Sequence, residues 1–375
     1  MFEIYDRLAE QALQGEAPSE DDGLWVLEGE DVQLLPLLQA AYAPREKHFG
    51  RTVMVHVLNN VQNGLCAEDC GYCAQSKSSE AAIRKYPMKS DEEILAEAEN
   101  AARAGASRYC MVLSGRGATL EHTRHLAELI RTVKETLPIE VCLSAGLVND
   151  EQARILAEVG LDRLNHNLNT SASHYPEICS THSYADRVET LQAAKNHGIG
   201  SCSGMIVGMG ESSRDILEVA FELRELEVPS IPVNFLIPIE GNRVLSDGSL
   251  TPERCLRALS LVRLVNPGAE VRVAGGREGH LRAMGSLALW PANSLFIEGY
   301  LTTRGDDERD TYQMIEDAGF EVHGNPTWQA ARDAGVDPAS NPTPDAAEPA
   351  QGSFRLRGGD GEILKPEISR PTRGV

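Results

Sequence analysis

The chain has 375 residues, 42% of them apolar, and carries 56 acidic against 35 basic side chains, a net charge of −21. That length fits two domains, or one large α/β barrel with extensions, and is enough to bury a full core. The acidic balance argues against a broad, sequence-independent grip on nucleic acid or an anionic membrane, and no stretch approaches the roughly 20 apolar residues of a membrane span.

Residues 1–35 hold ten acids and one base, Arg7, with short apolar-periodic pieces around Ile4, Leu8 and Leu13. They predict small helices, and residues 1–50 read as an N-terminal helical cap. The opening MFEIYDRLAEQAL lacks the basic start and apolar core of a signal peptide, so a cytoplasmic location is expected. Eight short apolar runs then follow: Val53–Leu58, Arg108–Leu113, Glu140–Ala145, Arg163–Asn167, Gly200–Val207, Ile231–Leu236, Val271–Ala274 and Leu295–Ile297. The segments between them read as helices. Ser90-Asp-Glu-Glu93 is a capping box, and Thr251-Pro252 is an N-cap followed by proline at the first helical position. Eight β/α alternations over residues 51–320 predict a parallel (βα)8 barrel with its site at the strand C-terminal ends. A doubly wound open sheet is the alternative. Residues 321–375 form a C-terminal extension. From 341 onward it holds five Pro and five Gly and few large apolar residues, a composition expected to stay disordered.

Eight cysteines in such a chain suggest metal, catalysis or small buried hydrophobes rather than a disulfide framework. Directly after the first strand comes Cys66-Ala-Glu-Asp-Cys70-Gly-Tyr72-Cys73. Three thiolates in eight residues suit one soft metal centre, an Fe–S cluster or zinc. A structural zinc site would want a fourth ligand nearby, and none follows within 30 residues. A second motif, Gly204-Met-Ile206-Val-Gly208-Met-Gly-Glu211, is a glycine-rich strand end that would also serve as a tight strand-to-helix turn. Cys110, Cys142 and Cys202 sit inside the second, third and fifth strands. Each taken alone reads as a buried small hydrophobe, but in a barrel alternate residues face inward and the three can converge. In the seventh strand Arg277 shares parity with Val271, Val273 and Gly275 if the strand stays regular. Its simpler reading is a buried charge paired with Glu278 or a substrate carboxylate. Asn165, Asn167 and Asn169 offer alternating amides on one face, suited to a cyclic urea or to Asx turns.

The C-x3-C-x2-C loop and the G-x-I-x-G-x-x-E strand resemble those of the radical S-adenosylmethionine (SAM) superfamily. There the three cysteines hold a [4Fe–4S] cluster, SAM chelates the remaining iron, and the strand lies along the adenine. From roughly residue 45 to 320 the chain resembles the biotin synthases. That resemblance implies sulfur insertion into dethiobiotin. It implies a [4Fe–4S] cluster on Cys66, Cys70 and Cys73, and a [2Fe–2S] cluster on Cys110, Cys142, Cys202 and Arg277 deep in the barrel. It also implies that Asn165, Asn167 and Asn169 meet the ureido ring, that Asn234 lies near the deoxyadenosine ribose, and that Arg187 meets the SAM carboxylate. Tyr72, Gly204, Ile206, Gly208 and Glu211 fall on the SAM side. Some members carry Asp where this chain has Asn169, and Asn donates where an ionised Asp does not. A flavodoxin-type electron donor and a homodimer are the family expectation. Cys179 and Cys255 match no family ligand and read as structural. The rivals are another radical SAM enzyme such as a mutase or maturase, an Fe–S electron carrier, and a zinc-stabilised interaction module.

Overall fold

Short apolar strands alternate with capped amphipathic helices, and the strands close on themselves. The computed structural model describes residues 3–323 except 247, 298, 302–304, 306 and 307. The anticipated tail from 341 lies outside the described residues. In chain order the elements are α1 (Glu3–Leu13), α2 (Glu20–Glu28), α3 (Leu34–Phe49), β1 (Thr52–Gln62), α4 (Asp91–Arg103), β2 (Arg108–Leu113), α5 (Leu120–Thr136), β3 (Glu140–Ser144) and α6 (Asp150–Glu158). Next come β4 (Arg163–Asn165), α7 (Tyr175–Ile178), α8 (Tyr184–Asn196), β5 (Gly200–Cys202), β6 (Met205–Val207), α9 (Ser213–Glu225), β7 (Ser230–Phe235) and α10 (Pro252–Val265). The chain continues with β8 (Glu270–Val273), α11 (Arg277–Leu281), a 3-10 turn over Arg282–Leu289, β9 (Ser294–Phe296), α12 (Glu308–Asp317) and β10 (Glu321–Val322).

All ladders between these strands are parallel. The last barrel strand returns to the first, with Val55 opposite Leu295 and His56 opposite Phe296. This closure rules out the open doubly wound sheet. The fifth stave is broken: β5 stops at Cys202 and β6 resumes at Met205. Gly204 lies in the break because the chain there presses against strand β7. A Cβ on Gly204 would sit 1.8 Å from the Pro232 carbonyl oxygen.

The helix starts follow the local chemistry. The Ser90 hydroxyl accepts from the Glu93 N–H while the Glu93 carboxylate accepts from the Ser90 N–H, and Thr251 caps α10 ahead of Pro252. The barrel strands bury apolar side chains outward against α4–α10, giving two large cores that share the sheet. The N-terminal helices α1–α3 pack on α9 and α10, where the Arg257 side chain donates to the carbonyls of Trp25, Val26 and Gly29. β10 adds to the start of β1 through Thr52–Glu321 and Val53–Val322. Among the described residues no helix is long and apolar enough to cross a membrane.

Candidate active site

The C-terminal ends of the strands surround a cavity of about 270 Å³. Cys66, Cys70, Tyr72 and Cys73 form its rim, on the long loop that leaves β1. Backbone bonds hold this loop in place. The Gly71 N–H donates to the Ile178 carbonyl at 2.8 Å, the Val244 N–H to Gly71 at 2.9 Å, and the Asn242 amide to the Tyr72 carbonyl at 2.8 Å. Burial pushes the Cys66 thiol up, and it also lifts Cys73, to about 11. Uncompensated, these sulfurs stay protonated near neutral pH, so a bound cation would supply the missing charge.

The G-x-I-x-G-x-x-E segment forms β6 and the turn after it. Ile206 lines the cavity, and Gly208 has a φ of +101°. The Glu211 carboxylate accepts from the N–H groups of Gly208 (2.7 Å) and Met209 (2.6 Å), so it shapes the turn from behind and is absent from the cavity wall. Asn234 lines the cavity and ties two staves, donating to the Met205 carbonyl (3.1 Å) and accepting from the Gly275 N–H (3.0 Å). Arg187 is buried at the cavity edge. Its guanidinium donates to the Tyr175 hydroxyl and to the Asn167 carbonyl at 2.6 Å, with His182 Nε2 at 2.9 Å.

Deeper in the lumen, Cys110, Cys142 and Cys202 meet in one buried cluster with Ala274 and Phe296. Cys110 and Cys142 are in register on neighbouring strands. The arginine beside them is Arg272, and Arg277 lies elsewhere. Regular strand β8 ends at Val273, and the chain turns through Gly276 at φ +82°, where a Cβ would lie 2.2 Å from the Phe235 carbonyl. Arg277 therefore opens α11, pairs with Glu278 at 2.7 Å, and does not line the cavity. The parity argument fails twice: Val271 and Val273, with which Arg277 was paired, face outward into the core, and the strand ends before Arg277. Arg272 has the opposite parity from Val271 and Val273 and reaches inward. Its Nη1 lies 3.6 Å from Cys202 Sγ, and its buried Nε has no hydrogen-bond partner.

An ionic layer lies under the lumen cysteines. Glu270 accepts from Arg272, from Arg108 Nη1 (3.0 Å) and from the Ser294 hydroxyl (2.8 Å), and His56 Nε2 is 2.9 Å away. Burial alone would raise the Glu270 carboxyl, but Arg272, Arg108 and His56 pull it well below the usual range. Burial, with Arg272 next, pushes His56 down to about 3, so this imidazole is neutral. Above this layer, donation from Cys142 pulls Cys202 well down despite burial, and Arg272 and Arg108 act in the same direction.

The three asparagines lie between the two cysteine sets and all line the cavity. β4 ends at Asn165, so the expected alternation gives way to a curved segment. Asn165 Nδ2 is 3.3 Å from Cys202 Sγ, Asn167 Oδ1 accepts from the Gly204 N–H at 3.1 Å, and Asn169 donates to the Tyr72 hydroxyl at 2.6 Å. Asn169 has φ +72°, a conformation Asn tolerates better than most residues. The donor sets suit iron–sulfur groups: soft thiols at rim and lumen, and a cationic Arg272 with an unpartnered N–H at the inner one.

Sequence reasoning missed a third group. Cys179, read as structural, lies 3.7 Å from Cys70 (Sγ to Sγ), beside His182 and Asp69, and His182 in turn meets Glu68. The Cys179-x2-His182 spacing was the available signal. His56 too has no role assigned from sequence, although the charges at Arg108 and Glu140 on neighbouring strands β2 and β3, and at Glu270 and Arg272 on β8, are the residues that form the ionic layer around it.

Two family models match the chain: the Radical SAM superfamily over residues 62–223, and the Biotin and Thiamin Synthesis associated domain over residues 232–321. Biotin synthase from Acaryochloris marina is 58% identical over 301 residues, 80% of this chain and 87% of the relative. Biotin synthase from Magnetococcus marinus is 56% identical over 315 residues, 84% and 98% of the two chains. The crystal structure of methylornithine synthase superposes with a TM-score of 0.73 at 20% identity, covering 86% of this chain and 99% of its own. The FeFe-hydrogenase maturase HydG from Carboxydothermus hydrogenoformans gives 0.71 at 17% identity, covering 86% and 80%. These two likenesses concern the fold. The relatives at more than half identity, over most of both chains, establish that this chain belongs to the biotin synthase family, radical SAM enzymes on a (βα)8 barrel.

Proposed function

We propose that the chain converts dethiobiotin to biotin, inserting one sulfur between two saturated carbons. Such C–H bonds are too strong and too weakly acidic for side-chain acids and bases, so a cofactor must perform the hard step. When bound, a [4Fe–4S] cluster with SAM supplies a deoxyadenosyl radical that takes hydrogen from carbon, and a [2Fe–2S] cluster supplies sulfur.

The chain's own residues bind, orient and shield. Cys66, Cys70 and Cys73 would hold the first cluster at the rim. Cys110, Cys142 and Cys202 would hold the second in the lumen, with Arg272 in the place first assigned to Arg277. Ile206, Tyr72 and Asn234 would face SAM, while Gly204 sets the break before β6, and Gly208 and Glu211 the turn after it. Arg187 contributes fixed positive charge at the edge of that subsite. Asn165, Asn167 and Asn169 would hold the ureido ring midway, so that the reacting carbons lie between rim and floor. The closed barrel excludes water and competing hydrogen donors from that space. We extend the proposal to a flavodoxin-type electron donor, a homodimer and a cytoplasmic location, in keeping with the family.

The observation that carries this reading is two separate cysteine triads at opposite ends of one cavity, with three asparagines between them. A mutase or maturase on the same barrel needs the rim triad and has no use for the lumen one. The test is anaerobic reconstitution with iron and sulfide, reduction, and product analysis with dethiobiotin and SAM. Biotin is the expected product. Deoxyadenosine without biotin from protein carrying both clusters would contradict the proposal.

A further inference from the structure

Cys179 and His182 belong to neither cysteine triad. They sit just past α7, on a segment packed behind the rim loop. Cys70 Sγ and Cys179 Sγ are 3.7 Å apart, and Cys179 Sγ is 3.4 Å from His182 Nδ1. All three donor atoms lie within 4.8 Å of one another, and all three residues are buried. A tetrahedral ion with M–S near ~2.3 Å and M–N near ~2.0 Å would place two sulfurs about 3.8 Å apart, and sulfur and nitrogen about 3.5 Å apart. The observed spacings match those of a ligand set.

The surroundings are those of a supported metal site. Glu68 accepts from the Nδ1 side of the His182 ring, and the Tyr175 hydroxyl faces Nε2 at 2.8 Å. Without an ion, Nδ1 thus carries the proton toward Glu68 and Nε2 accepts from Arg187 Nη2 at 2.9 Å; with Nδ1 on an ion, the Tyr175 hydroxyl is placed to accept from Nε2 and orient the ring. Asp69 fixes the segment, accepting from the backbone N–H groups of Ser180 (2.9 Å) and Thr181 (3.2 Å).

We propose that Cys70, Cys179 and His182 form a site for a thiophilic divalent cation of the zinc class. Binding displaces the protons of both thiols. It also moves the ring proton from Nδ1 to Nε2, toward Tyr175, and the Arg187 guanidinium that donates to Nε2 in the ion-free chain gives up that contact. Water or the Glu68 carboxylate fills the fourth position. Because Cys70 is shared with the rim triad, an ion here and the SAM-binding cluster exclude each other. Only this exclusion rests on the proposed function; the ion site stands on donor geometry.

The full-length chain, freed of iron anaerobically with chelator and reductant, is titrated with cobalt(II). Thiolate-to-cobalt absorption reports the sulfur ligands, and zinc then displaces the cobalt. Apart from cobalt taken up by the lumen thiols, one equivalent should depend on Cys179 and His182. Cys179→Ser and His182→Ala should each weaken binding by about tenfold or more. Cys66→Ser and Cys73→Ser should change it by less than about threefold, since neither thiol is a ligand. Preloaded zinc should slow cluster assembly in the unmodified chain and not in Cys179→Ser. No cobalt absorption in the unmodified chain overturns the proposal. So does a loss in Cys66→Ser or Cys73→Ser as large as that in Cys179→Ser, which would place the ion on the rim triad. Undiminished binding in both Cys179→Ser and His182→Ala also overturns it. If Cys179→Ser fails to fold, His182→Ala and the two rim variants still decide. SAM cleavage by the iron-loaded chain tests the proposed function separately, because Cys66 and Cys73 take no part in the ion site.

Discussion

Replacing Arg272 with Met should damage both stability and the inner cluster, whereas Arg277→Ala should do neither to the same degree. Arg272 is 1% exposed and donates to Glu270 and to the Ser230 hydroxyl at 3.0 Å, with Cys202 Sγ 3.6 Å away. Methionine fills most of the arginine stem, so cavity formation is minor and the loss is mainly electrostatic. Removing one partner of a buried ion pair costs about 3–5 kcal/mol, because the remaining charge is stranded. Glu270 keeps Arg108 at 3.0 Å and His56 at 2.9 Å, which argues for the lower end, about 3 kcal/mol. Arg277 pairs with Glu278, whose side chain is 30% exposed, so its loss should cost about 1–2 kcal/mol. Urea unfolding of the cluster-free chain measures both. Iron and sulfide analysis after reconstitution should show the [2Fe–2S] content falling in Arg272→Met while the rim cluster persists. The reasoning is refuted if Arg272→Met unfolds within about 0.5 kcal/mol of the parent and retains full iron, or if Arg277→Ala alone empties the lumen.

Three further outcomes can be checked. Asn167→Ala should weaken dethiobiotin binding by about 1–3 kcal/mol while SAM cleavage continues uncoupled; unchanged affinity in equilibrium binding would return Asn167 to a purely structural role. His56 is held down to about 3 against an ordinary 6.5, so between those values the unfolded chain takes up a proton that the native chain refuses. Stability is therefore intact above pH 6.5 and falls as pH drops toward 3; His56→Gln should flatten that slope by one proton in urea midpoints taken across the range, and an unaltered slope would contradict the assignment. Gly204→Ala places a methyl 1.8 Å from the Pro232 carbonyl oxygen and should cost about 3 kcal/mol or more in thermal or urea unfolding, whereas a normal midpoint would show that β6 and β7 can part.

The barrel was legible because its strands are short apolar runs separated by helices with explicit caps. Ser90–Glu93 and Thr251–Pro252 open helices where the pattern places them. The rim triad was legible because its three cysteines are local in sequence. The lumen triad needed strand parity, and parity worked for Cys110, Cys142 and Cys202, which lie within or at the end of regular strands. It failed for Arg277, because the face it shares with Val271 and Val273 is the outward one, and because β8 ends at Val273 before the chain turns through Gly276, a change of φ that residue alternation does not reveal. The same limit applies to Asn167 and Asn169, which follow β4 on a curve; they line the cavity, but through loop geometry rather than alternation. Cys179 and His182 escaped because Cys70, their neighbour in space, is more than a hundred residues away in sequence. The ionic layer under the lumen escaped because each charge reads alone as a strand terminus, and only ring closure brings His56 of β1 to Glu270 of β8.

The proposed function stands or falls on whether a [2Fe–2S] cluster held by Cys110, Cys142 and Cys202 is the source of the inserted sulfur. The direct measurement is mass analysis of biotin from the first turnover of protein whose [2Fe–2S] cluster was rebuilt with isotopically labelled sulfide, all other sulfur being unlabelled. The account predicts labelled biotin. Unlabelled biotin, with cluster incorporation and exchange controlled, would contradict it and leave the lumen cysteines as core residues or holders of a purely structural cluster.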